Sequence, residues 1–239
     1  MRLALFGATG RAGGAILRES RAAGHDVYAL ARSPGSLGRD DPHVTAIAGD
    51  VRDTAAAGRV IDGADAVVSA VGGTQPGNPA VLRQGTASIL AAMRRHGARR
   101  LIVIQGFHLP FPGDPQNAGA AAMRAMLRLW NRHLSADTYR MAEVLSQSDL
   151  DWTLIRMPRL TAGPLGEGYR TGLLSLGPWS SVTTGQVGHF TLSCLAAGGF
   201  VREAPMIATA RLRHRRAAEV PSAAPGAAGP VGATGWERP

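Results

Sequence analysis

An α/β domain on a doubly wound parallel sheet is the fold class this sequence predicts, and three observations predict it. Short apolar runs alternate with stretches of helical periodicity over residues 1–209, the first run breaks off in a glycine-rich turn, and later runs end in glycine or acid, as at Gly49-Asp50 and Val71-Gly72-Gly73. Strands that alternate with helices pack as a parallel sheet with right-handed crossovers. The expected organisation is one domain over 1–209, with a small C-terminal region shaping a substrate pocket, followed by a tail over 210–239.

The first strand, Leu3–Phe6, runs straight into Gly7-Ala8-Thr9-Gly10-Arg11-Ala12-Gly13 and a helix over Arg11–Ala23. A buried strand that yields abruptly to a helix presents free N–H groups at the helix start, and glycines let a pyrophosphate approach them. Gly7 is expected to make the turn, Gly10 to admit the phosphates and Gly13 to let the helix pack on the sheet. With the helical pattern behind it, this opening predicts a Rossmann fold that binds a dinucleotide.

Asp26–Ala29 reads as the second strand, Val44–Ala48 as the third, Ala66–Ala70 as the fourth, Leu101–Ile104 as the fifth and Trp152–Arg156 as the sixth. Met206–Ala208 is the last. Helices are expected over Asp53–Ile61, Ala80–Arg95, Ala120–His133, Asp137–Ser148 and Gly185–Ala196. In the Ala120–His133 helix, Met123, Met126, Leu127, Trp130 and Leu134 follow three- and four-residue spacing and predict a core stripe or subunit contact. Arg124, Arg128 and Arg132 share another, solvated face.

At 239 residues the chain can bury a sizeable core. No run approaches the ~18 apolar residues of a membrane span, and the start is not a cleavable leader, so a cytoplasmic setting is expected. A single cysteine, Cys194, cannot form an internal disulfide and reads as a core residue. No metal site is predicted. The formal charge is +9; five arginines and two glutamates give the tail +3 and leave +6 for the body. A basic body suits an anionic cofactor. The arginines are scattered and not interleaved with aromatics, which argues against nucleic acid. Beyond residue 209 alanine, proline and glycine dominate without periodicity, the composition of a disordered tail.

The end of the second strand selects between nicotinamide cofactors, because an acid there accepts from the ribose hydroxyls and repels a 2′-phosphate. Arg32 and Ser33 stand there instead. A guanidinium fork and a hydroxyl suit a phosphate dianion, so NADPH is expected over NADH.

Several stretches now carry a resemblance: the glycine turn, Ala31-Arg32-Ser33, Gly49-Asp50-Val51, and Met141-Ala142-Glu143-Val144-Leu145 leading to Leu150-Asp151-Trp152-Thr153-Leu154-Ile155-Arg156. They resemble the NmrA-like, NAD(P)H-binding atypical short-chain dehydrogenase/reductases, including flavin reductases similar to biliverdin reductase B. The resemblance implies that Thr9, Gly10, Arg11 and Ala12 surround the diphosphate, Arg32 and Ser33 the 2′-phosphate, Asp50 and Val51 the adenine edge, and Ala70, Val71 and Gly72 the ribose. Where the family's fifth strand brings a serine or threonine to the nicotinamide, this sequence has Gln105-Gly106-Phe107-His108. Where the flavin reductase branch has a histidine after the sixth-strand proline, Pro158 is followed by Arg159.

The sequence holds no lysine; its 26 Lys-plus-Arg positions are all arginine. The tyrosine–lysine pair of typical short-chain reductases, in which a cation lowers the phenol's pKa, is therefore excluded. Tyr139 has Glu143 four residues on, a charge of the wrong sign, and both read as structural. Two functions remain. One is an NADPH-dependent reductase of a flavin, quinone or aromatic polycycle, acting as a monomer or homodimer. Gln105 and His108 would bond an acceptor oxygen, Arg159 would stabilise developing charge, and Phe107 or Trp179 would wall the pocket with the loops at Pro112–Pro115 and Gly163–Gly177. The other is a cofactor-binding sensor that has lost chemistry.

Overall fold

The computed structural model describes residues 1–37, 41–72, 80–115, 121–122, 125–126, 132–166 and 168–210. The chain runs β1 (Arg2–Phe6), α1 (Arg11–Ala22), β2 (Asp26–Ala31), β3 (Val44–Ala48), α2 (Thr54–Ile61), β4 (Ala66–Ser69), α3 (Val81–His96) and β5 (Arg100–Gly106). It continues through α4 (Arg132–Ser146), β6 (Asp151–Met157), β7 (Arg159–Thr161), β8 (Tyr169–Gly172), β9 (Ser181–Thr183), α5 (Thr184–Ala197) and β10 (Met206–Thr209). Eight strands form one sheet in the order β3-β2-β1-β4-β5-β6-β10-β8, and β7 pairs with β9 in a second, two-stranded sheet. This is the Rossmann-like α/β fold the strand–helix alternation predicts.

Alternation of side chains along each strand assigns the core to two layers. Ala4 and Phe6 of β1, Val67 of β4, and Leu101 and Val103 of β5 join the layer under α2, α3 and α4. Leu5, Val68, Ile102 and Ile104 face the other way, onto α1 and α5. Strands buried on both faces read as continuous apolar runs, which is why the central ones were legible.

The edge departs from expectation. β8 pairs antiparallel with β10, Ile207 opposite Thr171, so the sheet is only mostly parallel. Three short strands were not expected: β8 lies within Gly163–Gly177, read as a loop, and β7 and β9 lie in segments without an expected element. They are three or four residues long and half-exposed, too short and polar for a periodic signal. The helix expected at Ala120–His133 falls largely outside the described residues; of its apolar stripe, Met126 is exposed. The tail beyond residue 210 also lies outside them.

Two residues, Asp137 and Arg100, position the elements that frame the site through tertiary hydrogen bonds. Asp137 of α4, buried, accepts from the backbone N–H of Leu82 at 2.8 Å and Arg83 at 3.2 Å, so α4 caps the start of α3. Arg100 of β5 donates to the Asp151 carbonyl and Thr153 Oγ1 on β6 and to the carbonyls of Cys194 and Gly199 at the end of α5. Burial pushes the Cys194 thiol up to about 12, in keeping with a core residue. Among the described residues no helix is long and apolar enough to cross a membrane, and no group of His, Cys, Asp or Glu could hold a metal ion.

Candidate functional site

The glycine turn joins β1 to α1 by close approach of backbones. Gly7 adopts φ +80°, and a Cβ on it would come within 2.5 Å of the Ala70 carbonyl oxygen after β4. Gly10 donates to the Gly7 carbonyl at 3.0 Å and is the N-cap of α1 in extended conformation. A Cβ on Gly13 would overlap the Gly7 carbonyl. Gly13 therefore lets α1 close onto the turn at the end of β1. The first-turn N–H groups of Arg11, Ala12 and Gly13 have no intrahelical acceptor, and Gly10 supplies no capping side chain. They and the helix dipole favour an anion here.

Beside this turn a cleft of about 250 Å³ opens at the carboxyl ends of β1, β2, β3 and β4. Gly7, Thr9 and Gly10 line one side, Arg32 the end of β2, Asp50 and Val51 the end of β3, and Ala70, Val71 and Gly72 the end of β4. The structure thus brings together nine residues singled out in four separated stretches. Ala12 is buried in α1 and offers the cleft only its backbone. Arg11 and Ser33 turn their side chains elsewhere, and Gly13 and Gln105 also lie outside the lining. The Arg11 guanidinium donates to the Leu160 carbonyl of β7 at 3.0 Å, leaving only its backbone N–H for the turn. Ser33 is exposed outside the lining, its carbonyl accepting from the Ser36 hydroxyl and N–H to close a tight turn.

One carboxylate, Asp50, lines this cleft beside Arg32. Asp50 accepts from Arg52 Nε at 2.8 Å through Oδ1, from Arg52 Nη2 at 2.8 Å through Oδ2, and from the Arg52 N–H at 2.9 Å. The Arg52 hydrogen bonds, aided by the charges of Arg52 and Arg32, hold its pKa down at about 2. Arg32 enters none of the ion pairs among the described residues. An uncapped helix start, a steric cradle of glycine and a guanidinium outside the ion pairs of the described residues suit an anionic dinucleotide.

Along the sheet, Gln105 closes β5, buried, with Nε2 donating a long 3.4 Å bond to the Val71 carbonyl. His108 folds its ring back against Gly106, where a Cβ would come within 2.5 Å of Nδ1. Burial lowers its pKa below the ordinary imidazole value, so it is neutral at pH 7. Arg159 is exposed on β7, and no hydrogen bond or ion pair among the described residues joins it to Gln105 or His108. Phe107, expected as a pocket wall, packs instead with Leu176, Met206 and Ala208 in a small core of its own. Trp179 is 81% exposed. Tyr139 packs against the α2–α3–α4 layer as helix structure.

Two cation partnerships are not legible at sequence level. Arg52 carries no assignment there, and Arg156 reads as the end of the sixth strand without the partner that a buried arginine requires. That partner is Asp114. A charged residue inside an otherwise apolar strand was the available signal, since such a charge must be paired.

Residues 7–197 match the model of an NAD(P)H-binding family. Among solved structures the chain is similar to an oxidoreductase from Lactococcus lactis, with TM-score 0.72, 20% identity, and 88% of this chain and 92% of that one covered. It is similar to a wide-type short-chain dehydrogenase/reductase from Veillonella parvula DSM 2008 in complex with NADP, with TM-score 0.69, 18% identity, and 86% and 93% covered. An anaerobillin reductase, ChuY, from Escherichia coli O157:H7 aligns with TM-score 0.72 and 16% identity over 90% of this chain and all of that one. At these identities the likeness is one of fold.

Proposed function

The chain belongs to the NAD(P)H-binding family, and from that premise we propose that it is an NADPH-dependent reductase of a flavin, quinone or similar conjugated acceptor, working without a tyrosine–lysine pair. The observation that carries this reading is Arg32, a guanidinium without an ion-pair partner among the described residues, lining the same cleft as the glycine turn.

In this reading the N–H groups at the start of α1, with Gly7, Thr9 and Gly10, hold the diphosphate. Arg32 binds the 2′-phosphate, with Ser33 beside it on the outer turn. Asp50 and Val51 border the adenine, and Ala70, Val71 and Gly72 the ribose. When bound, the dihydronicotinamide supplies a hydride. The protein's share is alignment, worth ~7–11 kcal/mol of barrier for well-placed reactants. Gln105 spans the ends of β4 and β5, where its amide can bond a carboxamide or an acceptor oxygen. Neutral His108 keeps one ring nitrogen as donor and one as acceptor, so it can hold an acceptor carbonyl or pass a proton to it. Arg159, on the strand after β6, offers positive charge to a reduced, anionic acceptor. The structural neighbours that are reductases support this class of chemistry.

NADPH consumption by the purified protein across FMN, FAD and quinones, with NADH in parallel, tests the reading. Selective NADPH turnover with one acceptor class is expected, and Arg32→Ala removes the selectivity. NADPH binding without turnover by any acceptor replaces the reductase with the sensor that the missing lysine would suit. Failure to bind either nucleotide overturns both.

A further inference from the structure

We propose that Arg52 determines the preference for a phosphorylated cofactor without touching it, by occupying the Asp50 carboxylate so that Arg32 stays free for the 2′-phosphate. This rests on the NADPH reading above.

Arg32 and Asp50 line the same end of the cleft, one after β2 and the other after β3. These strands are neighbours in register, Ala31 opposite Ala48, so the two side chains leave adjacent strand ends. The charge of Arg32 is felt at the Asp50 carboxyl. A carboxylate so close has two effects on a phosphate site: it repels the dianion, and it competes for the guanidinium that should bind it. A lone Asp50 would thus undo what Arg32 provides.

Arg52 removes that conflict. Its Nε and Nη2 grip the two carboxylate oxygens at 2.8 Å each, the two-armed geometry that a planar guanidinium forms with a carboxylate. Its N–H adds a third bond to Oδ1 at 2.9 Å. Oδ1 thereby accepts two donors and Oδ2 one, which leaves little acceptor capacity for Arg32. The trio Arg32, Asp50 and Arg52 carries a net single positive charge, where Arg32 and Asp50 alone would carry none.

The clamp is held from behind. Ser88 Oγ on α3 donates to the Arg52 carbonyl at 2.7 Å, the Asp53 N–H donates to the Asp50 carbonyl at 3.0 Å, and Asp53 caps α2 through the Ala55 N–H at 2.8 Å. The four-residue turn 50–53 is therefore closed on itself and fastened to helices of the core at residues 52 and 53. Arg52 itself is not among the cleft-lining residues. It acts through Asp50, as a positioning residue.

Calorimetric binding of 2′,5′-ADP and of 5′-AMP, alongside NADPH and NADH, measures the effect without any turnover. Thermal melts of each variant establish that it folds. Arg52→Gln is expected to weaken NADPH and 2′,5′-ADP by about tenfold or more, the order of one charge-assisted bond, while NADH and 5′-AMP stay within about twofold. Asp50→Asn in the Arg52→Gln background is expected to recover most of the loss, because it removes the competing charge. An unchanged NADPH-to-NADH ratio in Arg52→Gln overturns the inference, and so does a double variant that recovers nothing, since Arg52 would then be contacting the phosphate directly. Wild-type protein that binds neither dinucleotide overturns the NADPH reading itself; tight NADPH binding with an unchanged ratio overturns only the role of Arg52.

Discussion

Arg156 and Asp114 meet in a two-armed ion pair, Nη1 to Oδ2 and Nη2 to Oδ1, both at 2.6 Å. The arginine side chain is fully buried and the aspartate nearly so. Arg156 also donates to the carbonyls of Leu109 and Ala204, and Asp114 accepts from the Phe111 N–H at 2.9 Å. One pair thus ties β6, the approach to β10 and the loop carrying His108 to a single point.

Removing one partner of such a pair strands a buried charge. Asp114→Ala is expected to cost about 3–5 kcal/mol in urea unfolding, whereas Arg156→Met with Asp114→Leu loses far less. A single variant as stable as the double would show that the pair does not anchor the loop.

The cap from Asp137 is smaller but independent. Asp137→Ala leaves two N–H groups at the start of α3 without their acceptor, and a loss of about 1–2 kcal/mol at unchanged m-value is expected. Asp137→Asn retains an acceptor and should fall in between. Because α3 also carries Ser88, amide exchange at Arg52 and Asp53 is expected to quicken in Asp137→Ala.

Gly13→Ala tests the turn. Its methyl would overlap the Gly7 carbonyl, so the β1–α1 junction must shift, at about 1–3 kcal/mol of stability and with weakened NADPH binding. Gly199→Ala meets nothing within 4 Å and serves as the control. Equal behaviour of the two variants would refute the close approach.

His108 links stability to pH. Its folded pKa lies below its unfolded value, so between the two the unfolded chain binds more protons and stability rises with pH. The contribution is complete above the unfolded value of about 6.5 and is lost as pH falls through the folded one. His108→Gln should flatten the stability profile on the acid side of pH 6.5, measured by urea midpoint at successive pH values. An unaltered slope would mean the imidazole is not buried as the structure has it.

Much of the fold was legible because a parallel sheet buried on both faces needs uninterrupted apolar strands. Leu101–Ile104 and Trp152–Arg156 are legible for that reason, one to two residues short at each end. The edge escaped: Tyr169–Gly172 is a strand only because β10 offers it an antiparallel partner. In the cleft, the glycine turn and Arg32 were legible as local chemistry. The Arg11 side chain was not, because the Leu160 carbonyl that receives it arrives from 149 residues away.

By itself the sequence determined the strand–helix alternation, the dinucleotide turn and the absence of a tyrosine–lysine pair, all properties of residue type and short spacing. Only the tertiary structure decided which charges meet. In sequence Asp137 is only a helix start, Asp114 a loop residue and Arg52 without a signal, yet each has its role through a neighbour's geometry. A charge is committed or free according to the donor or acceptor the fold brings within about 3 Å of it, and that distance is a property of packing.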